Sequence, residues 1–449
     1  MTDTALAGLE ADLAGIPQIA PDRVKTNSRD FYWFSPILQA ELDDKLPDIM
    51  VVPETRAQLE QIAAACARHR VPLTVRGGGT GNYGQSVPLQ GGVLVSMIRF
   101  NRVISSGGGV GRFESGARLL NIDRTLAPTG WELRLFPSTR RLATIGGFVA
   151  GGAGGVGSCT WGQLADPGAI LGAQLITVEE TPRVIELRDR EVLRVQHAYG
   201  LNGILTEIEM PLAPRYPWAE MLLSFPDFTA ATSFAAGFVN AEGLVRKLVS
   251  VHEPRVVPYL EKLAPLVPLG HAVVMVMANQ AHCPAIRALA ADHGGAEVWG
   301  RDPEAAEQAA FAAEGDMPPI YEFAWNHTTW HALKIDPAIT YLQIRFPQGE
   351  EARLIATLQA DFADDMMLHL EFQRKNGRMM VSGLPLVPFR SAEALHELMA
   401  RLRAAGIEMS NPHTCRLDAA GWKRVDAPQA EFKRIADPHA LLNPGKLVV

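Results

Sequence analysis

The 449-residue chain has little cysteine, and its four, Cys66, Cys159, Cys283 and Cys415, are scattered too widely to make a zinc or redox pair. That excludes a disulfide-built scaffold and fits a reducing compartment, so a cytoplasmic location is expected. Long apolar runs are also missing. His271-Ala-Val-Val-Met-Val-Met-Ala278 has the length of a strand, and no membrane span is expected. The first residues carry acids and a proline where a secretory signal has a basic region followed by an apolar run, so no signal is expected. Basic residues are not in excess: 42 Lys and Arg face 49 Asp and Glu, a net charge of −7. Such a balance leaves no positive field for a nucleic-acid partner. Repeats and low-complexity segments are absent. What remains, at 47% hydrophobic and 20% charged, is the composition of a globular enzyme, long enough for two domains or one large domain with a cap.

Glycine carries the first signal. The stretch Arg76-Gly-Gly-Gly-Thr-Gly-Asn-Tyr-Gly84 has five glycines in nine residues and follows the strand-like run Val71-Pro-Leu-Thr-Val75. Glycine permits positive φ and close backbone approach, so successive amides can converge on an anion. The loop suits a diphosphate; a plain turn is the other reading of such a cluster. Upstream, Thr55 and Gln58 form a capping box, and Leu59, Ile62, Ala63, Cys66 and Ala67 share one helical face. With strands near 46–53 and 93–97 this gives a β-α-β-loop-β unit.

A second glycine-rich stretch runs from Phe136 to Gly157. Inside it, Gly152-Ala-Gly-Gly-Val-Gly157 matches a dinucleotide fingerprint, with Glu179 at the distance of a ribose contact. A Rossmann fingerprint opens a helix, whereas Ser158 to Pro167 continues with weak helix formers and a proline. An NAD-binding Rossmann unit therefore stands as an alternative reading.

Four pieces in register, Arg76 to Gly81, Ala143 to Gly147 with its continuation to Trp161 and Asp166, Leu201 to Glu207, and Asp437 to Lys446, resemble the FAD-binding domain of the vanillyl-alcohol oxidase and p-cresol methylhydroxylase (PCMH-type) superfamily, in particular its glycolate oxidase and D-lactate dehydrogenase-like branch. The resemblance covers roughly residues 46 to 218 and the last twenty. It implies an α+β fold: a two-subdomain FAD-binding domain over 1–218, rejoined by 426–449, and a substrate or cap domain over 219–425. It also implies FAD contacts from Arg76, Gly77, Gly78, Gly79, Thr80, Gly81, Asn82 and Tyr83 in the first loop. Further contacts are implied from Pro137, Ser138, Thr144, Gly146, Gly147, Gly151, Gly154, Gly155, Gly157, Ser158 and Trp161, then Ile204, and finally Asn443 and Lys446. Members that tether FAD through the first loop carry histidine where this chain has Thr80, and no motif supports a tether from His413, Cys415 or Cys159, so noncovalent FAD is expected.

Beyond residue 219, strands and amphipathic helices alternate as two successive β-α-β-β-α-β units, the split βαβ arrangement. Side by side they make one broad antiparallel sheet of two ferredoxin-like halves, whose bare face the resemblance lays over the flavin. Strands expected at 339–346 and 366–373 then put Tyr341, Gln343, Arg345, His369, Glu371 and Gln373 on one polar face. Arg345 suits a substrate carboxylate, Tyr341 and His369 suit proton acceptance, and Glu371 suits orienting a base. A merely solvated face is the other reading. The segment Tyr321 to His331 offers His327 and Trp330 as a pocket wall, or else an aromatic plug, and His413 is a third substrate-binding candidate. His327 and His331 are spaced i,i+4, but no glutamate follows His327, and His369 with Glu371 falls short of a metal set, so no metal is assigned.

The expected activity is FAD-dependent oxidation of a hydroxylated small molecule, a 2-hydroxy acid or alcohol, by hydride transfer to the flavin. A phenolic or aryl alcohol is the alternative substrate, and a non-catalytic flavin-binding protein the alternative of another class. The electron acceptor, oxygen or a redox partner, is open; small residues near Ala153 are a possible oxygen route. Oligomeric state is not legible.

Overall fold

The computed structural model describes residues 3–152, 154–312, 315–421, 423 and 425–447. Thr55 caps its helix as expected, accepting the Gln58 amide at 3.3 Å, while Gln58 Oε1 reaches one residue past the cap to accept the Glu54 amide at 2.7 Å. Helix Arg56–His69 follows and buries its Leu59, Ile62, Ala63 and Cys66 stripe. It packs beside a parallel sheet of β1 (Ile49–Val51), β2 (Leu73–Arg76) and β3 (Val93–Ser96), with β3 in the middle. A second sheet comprises β4 (Val103–Gly107), β5 (Val110–Glu114), β6 (Trp131–Leu133), β7 (Gly172–Ile176), β8 (Val184–Arg188) and β9 (Ile204–Pro214). Its order is β4-β5-β9-β7-β8, and β6 also pairs with β9.

The cap sheet contains β10 (Trp218–Phe225), β11 (Arg246–His252), β12 (Ala272–Asn279) and β13 (Ala296–Arg301) from its first half. Next along the chain, β14 (Ile339–Tyr341) stands outside this sheet, and β15 (Gln343–Arg345), β16 (His369–Lys375) and β17 (Arg378–Gly383) lie within it. Finally β18 (Leu386–Pro388) pairs with β14, while β19 (Glu408–Ser410) closes the second half. The order β13-β10-β12-β11-β16-β17-β15-β19 is two ferredoxin-like units joined antiparallel at β11 and β16. The α+β fold with two such halves is thus as expected.

Strand alternation divides the two faces. Val249, Val251, Val274, Val276, Leu370 and Phe372 pack under the cap helices. Leu222, Leu248, Met275 and Met277, on the opposite face of the first half, join the core of the second sheet's subdomain. The second half turns polar residues the same way. The first half therefore anchors the cap by apolar burial, and the second is left to line a cavity. At the end of the chain, Asn443 donates its amide to Leu73 O at 2.6 Å and Leu73 donates to Leu441 O at 2.8 Å, which returns this segment to β2.

Candidate functional site

A cavity of about 970 Å³ runs from the first glycine loop, past the second glycine-rich stretch, to the second half of the cap. Gly77, Gly78, Gly79, Thr80, Gly81, Asn82 and Tyr83 line it, as do Pro137, Ser138, Thr144, Gly146, Gly147, Gly151, Gly154 and Gly155. Among the described residues, no backbone amide from Gly78 to Asn82 donates to another part of the protein. Close packing explains the glycines. A Cβ at Gly78 would lie 2.1 Å from Leu142 O, and one at Gly77 2.2 Å from Thr144 Oγ1. Thr80 accepts from Thr139 Oγ1 at 3.2 Å.

Beneath the loop lies an acid that sequence reasoning missed. Asp30 accepts the Tyr32 amide at 3.0 Å, and burial pushes its carboxyl up to about 6 against the pull of Lys446 and Arg76. Arg76 does not reach the cavity; it donates to Arg29 O at 3.0 Å and thereby holds the loop from behind. Phe31 and Phe34 also line the cavity, so the aromatic run Phe31-Tyr-Trp-Phe34 reaches the site. Its signal was available: an acid followed at once by aromatics. Tyr199 and His197, just ahead of the Leu201 to Glu207 motif, were missed as well.

The dinucleotide fingerprint is corrected by what surrounds it. Gly152 closes helix Ile145–Gly151 and Gly157 precedes a helix of only four residues, Ser158–Trp161, so no strand leads into the pattern and no long helix leaves it. Glu179 pairs with Arg183 at 2.6 Å, outside the cavity lining. A Rossmann unit is thereby excluded.

Several expected cofactor contacts stand behind the lining. Gly157 donates its amide to Lys247 O at 2.6 Å, and Ser158 donates to Gly155 O at 2.6 Å. Trp161 packs edge-on against Trp218, and Ile204 is in the core below β3. Asn443 donates to Gln85 O at 3.0 Å, and the Lys446 ammonium bonds to Gly84 O. These residues shape and support the wall instead of forming it. Ala153 lies outside the described residues.

The cap wall needs the larger correction. The strand expected over 339–346 is split at Leu342: β14 leaves for β18, and only β15 stays in the cap sheet. Tyr341 goes with β14, is fully buried, and packs edge-on against Phe34. His369 and Glu371 do face the expected way, but helix Asn326–Ile335 and the turn before it cover them, so neither lines the cavity. His369 Nε2 and Glu371 Oε1 are hydrogen-bonded at 2.8 Å, and burial lowers the imidazole to about 3 and raises the carboxyl to about 8. His413 bonds to Ser35 Oγ at 2.7 Å and Tyr341 O at 2.9 Å, again away from the cavity. His413, Cys159 and Cys415 are all absent from its lining.

Arg345, Gln343 and Gln373 do line the wall, with His327 and Trp330, and Trp325 and Asn326 join them. Gln343 donates to Tyr83 OH at 2.5 Å, which ties this wall to the glycine loop. Burial lowers His327 to about 3, so its ring is neutral near pH 7, and its Nδ1 has no partner among the described residues. His331 stacks on Phe323 at 4.8 Å. No group of three or more metal-ligating side chains occurs among the described residues, and no helix there is long and apolar enough to cross a membrane.

Free amides on a glycine loop, a long cavity and a cap sheet across it make a site suited to an extended anionic cofactor. Residues 47–184 match the FAD binding domain family. The chain is 31% identical to glycolate oxidase subunit GlcD of Escherichia coli (strain K12) over 205 residues, 44% of this chain and 41% of the relative. The match thus spans about two fifths of that relative. The fold as a whole is like that of an alkyldihydroxyacetonephosphate synthase, with a TM-score of 0.73 at 14% identity over 99% of this chain and 85% of the other. It is also like 4-ethylphenol oxidase from Gulosibacter chungangensis, with a TM-score of 0.66 at 14% identity over 99% and 97% of the two chains. The chain carries an FAD-binding domain in a fold of the vanillyl-alcohol oxidase and PCMH type, as its motifs implied. The loop fits that cofactor, because its unpaired amides are the donors a diphosphate needs.

Proposed function

We propose that the protein is an FAD-dependent oxidoreductase that oxidises a hydroxylated organic acid or alcohol by hydride transfer to a noncovalently held flavin. The observation that carries this reading is the continuity of one cavity from the free amides of Gly78 to Asn82 to Arg345 on the cap wall. FAD, when bound, supplies the two-electron acceptor. The loop amides offset the diphosphate charge, and Thr80 offers no imidazole for a tether. Arg345 presents a planar guanidinium to a substrate carboxylate, since its one ion pair among the described residues, to Glu408 at 4.0 Å, is long. His327 lines the cavity where His369 and Tyr341 do not, and its Nδ1, without a partner among the described residues, is free to take a hydrogen bond from the substrate hydroxyl. Trp325 and Trp330 give that end of the cavity an aromatic lining.

The proposed division places residues 1–218 and 426–449 with the cofactor and 219–425 with the substrate. Four free, buried cysteines support a reducing setting such as the cytoplasm. The similarity to a subunit of a glycolate oxidase favours a 2-hydroxy acid. Phe31, Phe34, Trp325 and Trp330 around the cavity favour an aryl alcohol as the second reading.

Anaerobic mixing of the purified protein with 2-hydroxy acids, polyols and phenolic alcohols tests the reading. Flavin bleaching by one class is expected; a colourless protein, or a flavin that no donor reduces, overturns it. Readmitting air separates oxygen from a redox partner as acceptor. Arg345→Ala is expected to weaken acids at least about tenfold more than neutral alcohols, and equal losses would remove Arg345 from carboxylate binding.

A further inference from the structure

We propose that Trp325 sets the depth of the substrate compartment and that Glu371, which the cavity does not reach, is the positioning residue that aims it. The inference rests on the functional reading above only in assigning that compartment to the substrate.

Trp325 has φ 55° and ψ −145°, a conformation that bulky L residues avoid. Its amide is held there by Glu371 Oε1 at 2.6 Å. The same oxygen receives Ser250 Oγ at 2.9 Å and is hydrogen-bonded to His369 Nε2 at 2.8 Å. The His369 ring stacks on His252 at 4.2 Å with 13° between planes. His252 Nε2 in turn donates to Thr328 Oγ1 at 3.1 Å, and Thr328 donates to Phe323 O at 2.6 Å. The turn from Phe323 to Thr328 is therefore clamped to the sheet at two points, by residues from both halves.

The clamp has a visible result at the other end of the side chain. The indole reaches the second glycine-rich stretch, where a Cβ at Gly154 would lie 2.8 Å from Trp325 Cη2 and 3.0 Å from Cζ3. Gly154 is thus glycine to admit the indole. Trp325 Nε1 is buried and has no partner among the described residues, which leaves a donor in the cavity wall for a ligand oxygen. An indole fixed at its backbone and met by Gly154 at its tip behaves as a rigid floor, so ligand length beyond that floor is excluded.

Calorimetric titration of the purified protein with acetate, butyrate, hexanoate, octanoate and benzoate tests this without requiring turnover or colour. A protein that binds these carboxylates in the expected pattern but oxidises nothing would overturn the functional reading alone. Trp325→Ala is expected to raise the octanoate-to-acetate affinity ratio at least about tenfold. Glu371→Ala is expected to move the ratio in the same direction, and Glu371→Gln, which keeps a carbonyl oxygen for the Trp325 amide, to restore it. Gly154→Ala displaces the indole from the opposite side, and adding Trp325→Phe is expected to return the parent ratio; this pair decides the matter should Glu371→Ala fail to fold. An unchanged ratio in Trp325→Ala, or a Glu371→Ala protein that melts earlier with the parent ratio intact, overturns the proposal.

Discussion

Lys247 is the residue whose removal most directly measures how the cap is fastened. It is 2% exposed, at the start of β11, and its ammonium donates to Glu132 Oε1 at 2.6 Å and Leu133 O at 3.2 Å. Phe136, Trp161 and Trp218 surround the charge with ring centroids at 5.2, 5.6 and 5.1 Å. Glu132 also accepts the Trp218 indole N–H at 2.8 Å, and burial raises its carboxyl while Lys247 pulls it back down. Lys247→Met keeps the length of the side chain and leaves Glu132 buried without its cation. Breaking such a pair costs about 3–5 kcal/mol. With about 2.1 cal/mol/K of unfolding entropy per residue, 449 residues give about 0.9 kcal/mol/K. The thermal midpoint, followed by circular dichroism, should therefore fall by about 3–5 °C. Adding Glu132→Gln, which still accepts from Trp218, should recover most of the loss. The lone carboxyl in Lys247→Met takes a raised folded pKa, so its penalty grows as pH rises above the unfolded value near 4.5 and shrinks below it. A double variant that melts as low as the sum of the two single losses would refute the account.

Gly78→Ala would set a Cβ 2.1 Å from the fixed carbonyl of Leu142; the ratio of flavin to protein absorbance should report at least about tenfold weaker cofactor binding. Gly237→Ala, on helix Phe228–Asn240 with nothing within 4 Å of the added carbon, is the neutral or slightly stabilising control. Acid should unfold the protein through its buried histidines. His197, His327 and His369 are lowered to about 3, and His331 and His413 to about 4, chiefly by burial. Their contribution is complete above the unfolded value near 6.5 and is lost as pH falls through it toward the folded values. Each costs about 1.4 kcal/mol per pH unit across that window, so urea midpoints should drop steadily between pH 6.5 and 4; a flat profile there would contradict the buried, neutral assignment.

Local signals were readable wherever one residue type forces one backbone state. Thr55 with Gln58 located its helix, and the glycines of the first loop located the cavity floor. Alternation along 366–373 gave the correct face for His369, Glu371 and Gln373 of β16, and along 339–346 it gave that of Gln343 and Arg345. Alternation fails at two kinds of place. It does not reveal a strand that changes sheets, so Tyr341 was assigned to the cavity although the break at Leu342 carries it to β18. Nor does it reveal what lies on top of a face: His369 and Glu371 point as expected, yet the turn at Trp325 covers them. Long-range closure of the chain was equally hidden. Asp30 and Phe31 come from a segment with no periodicity, and their place beside the glycine loop follows from the Arg76 bond to Arg29 O and the Phe31 amide bond to Gly81 O at 2.7 Å.

The seam between the two cap halves rests on three residue pairs, Ser250 with Glu371, Val251 with Leu370 and His252 with His369. Two of those pairs supply the clamp on the Trp325 turn. A substitution at Ser250 or His252 therefore acts through residues more than a hundred positions away, and its effect should depend on what occupies 369 and 371. For anyone reshaping specificity, the practical unit of search is this joint set. A library confined to either half would explore a fitness surface whose coordinates are held in the other.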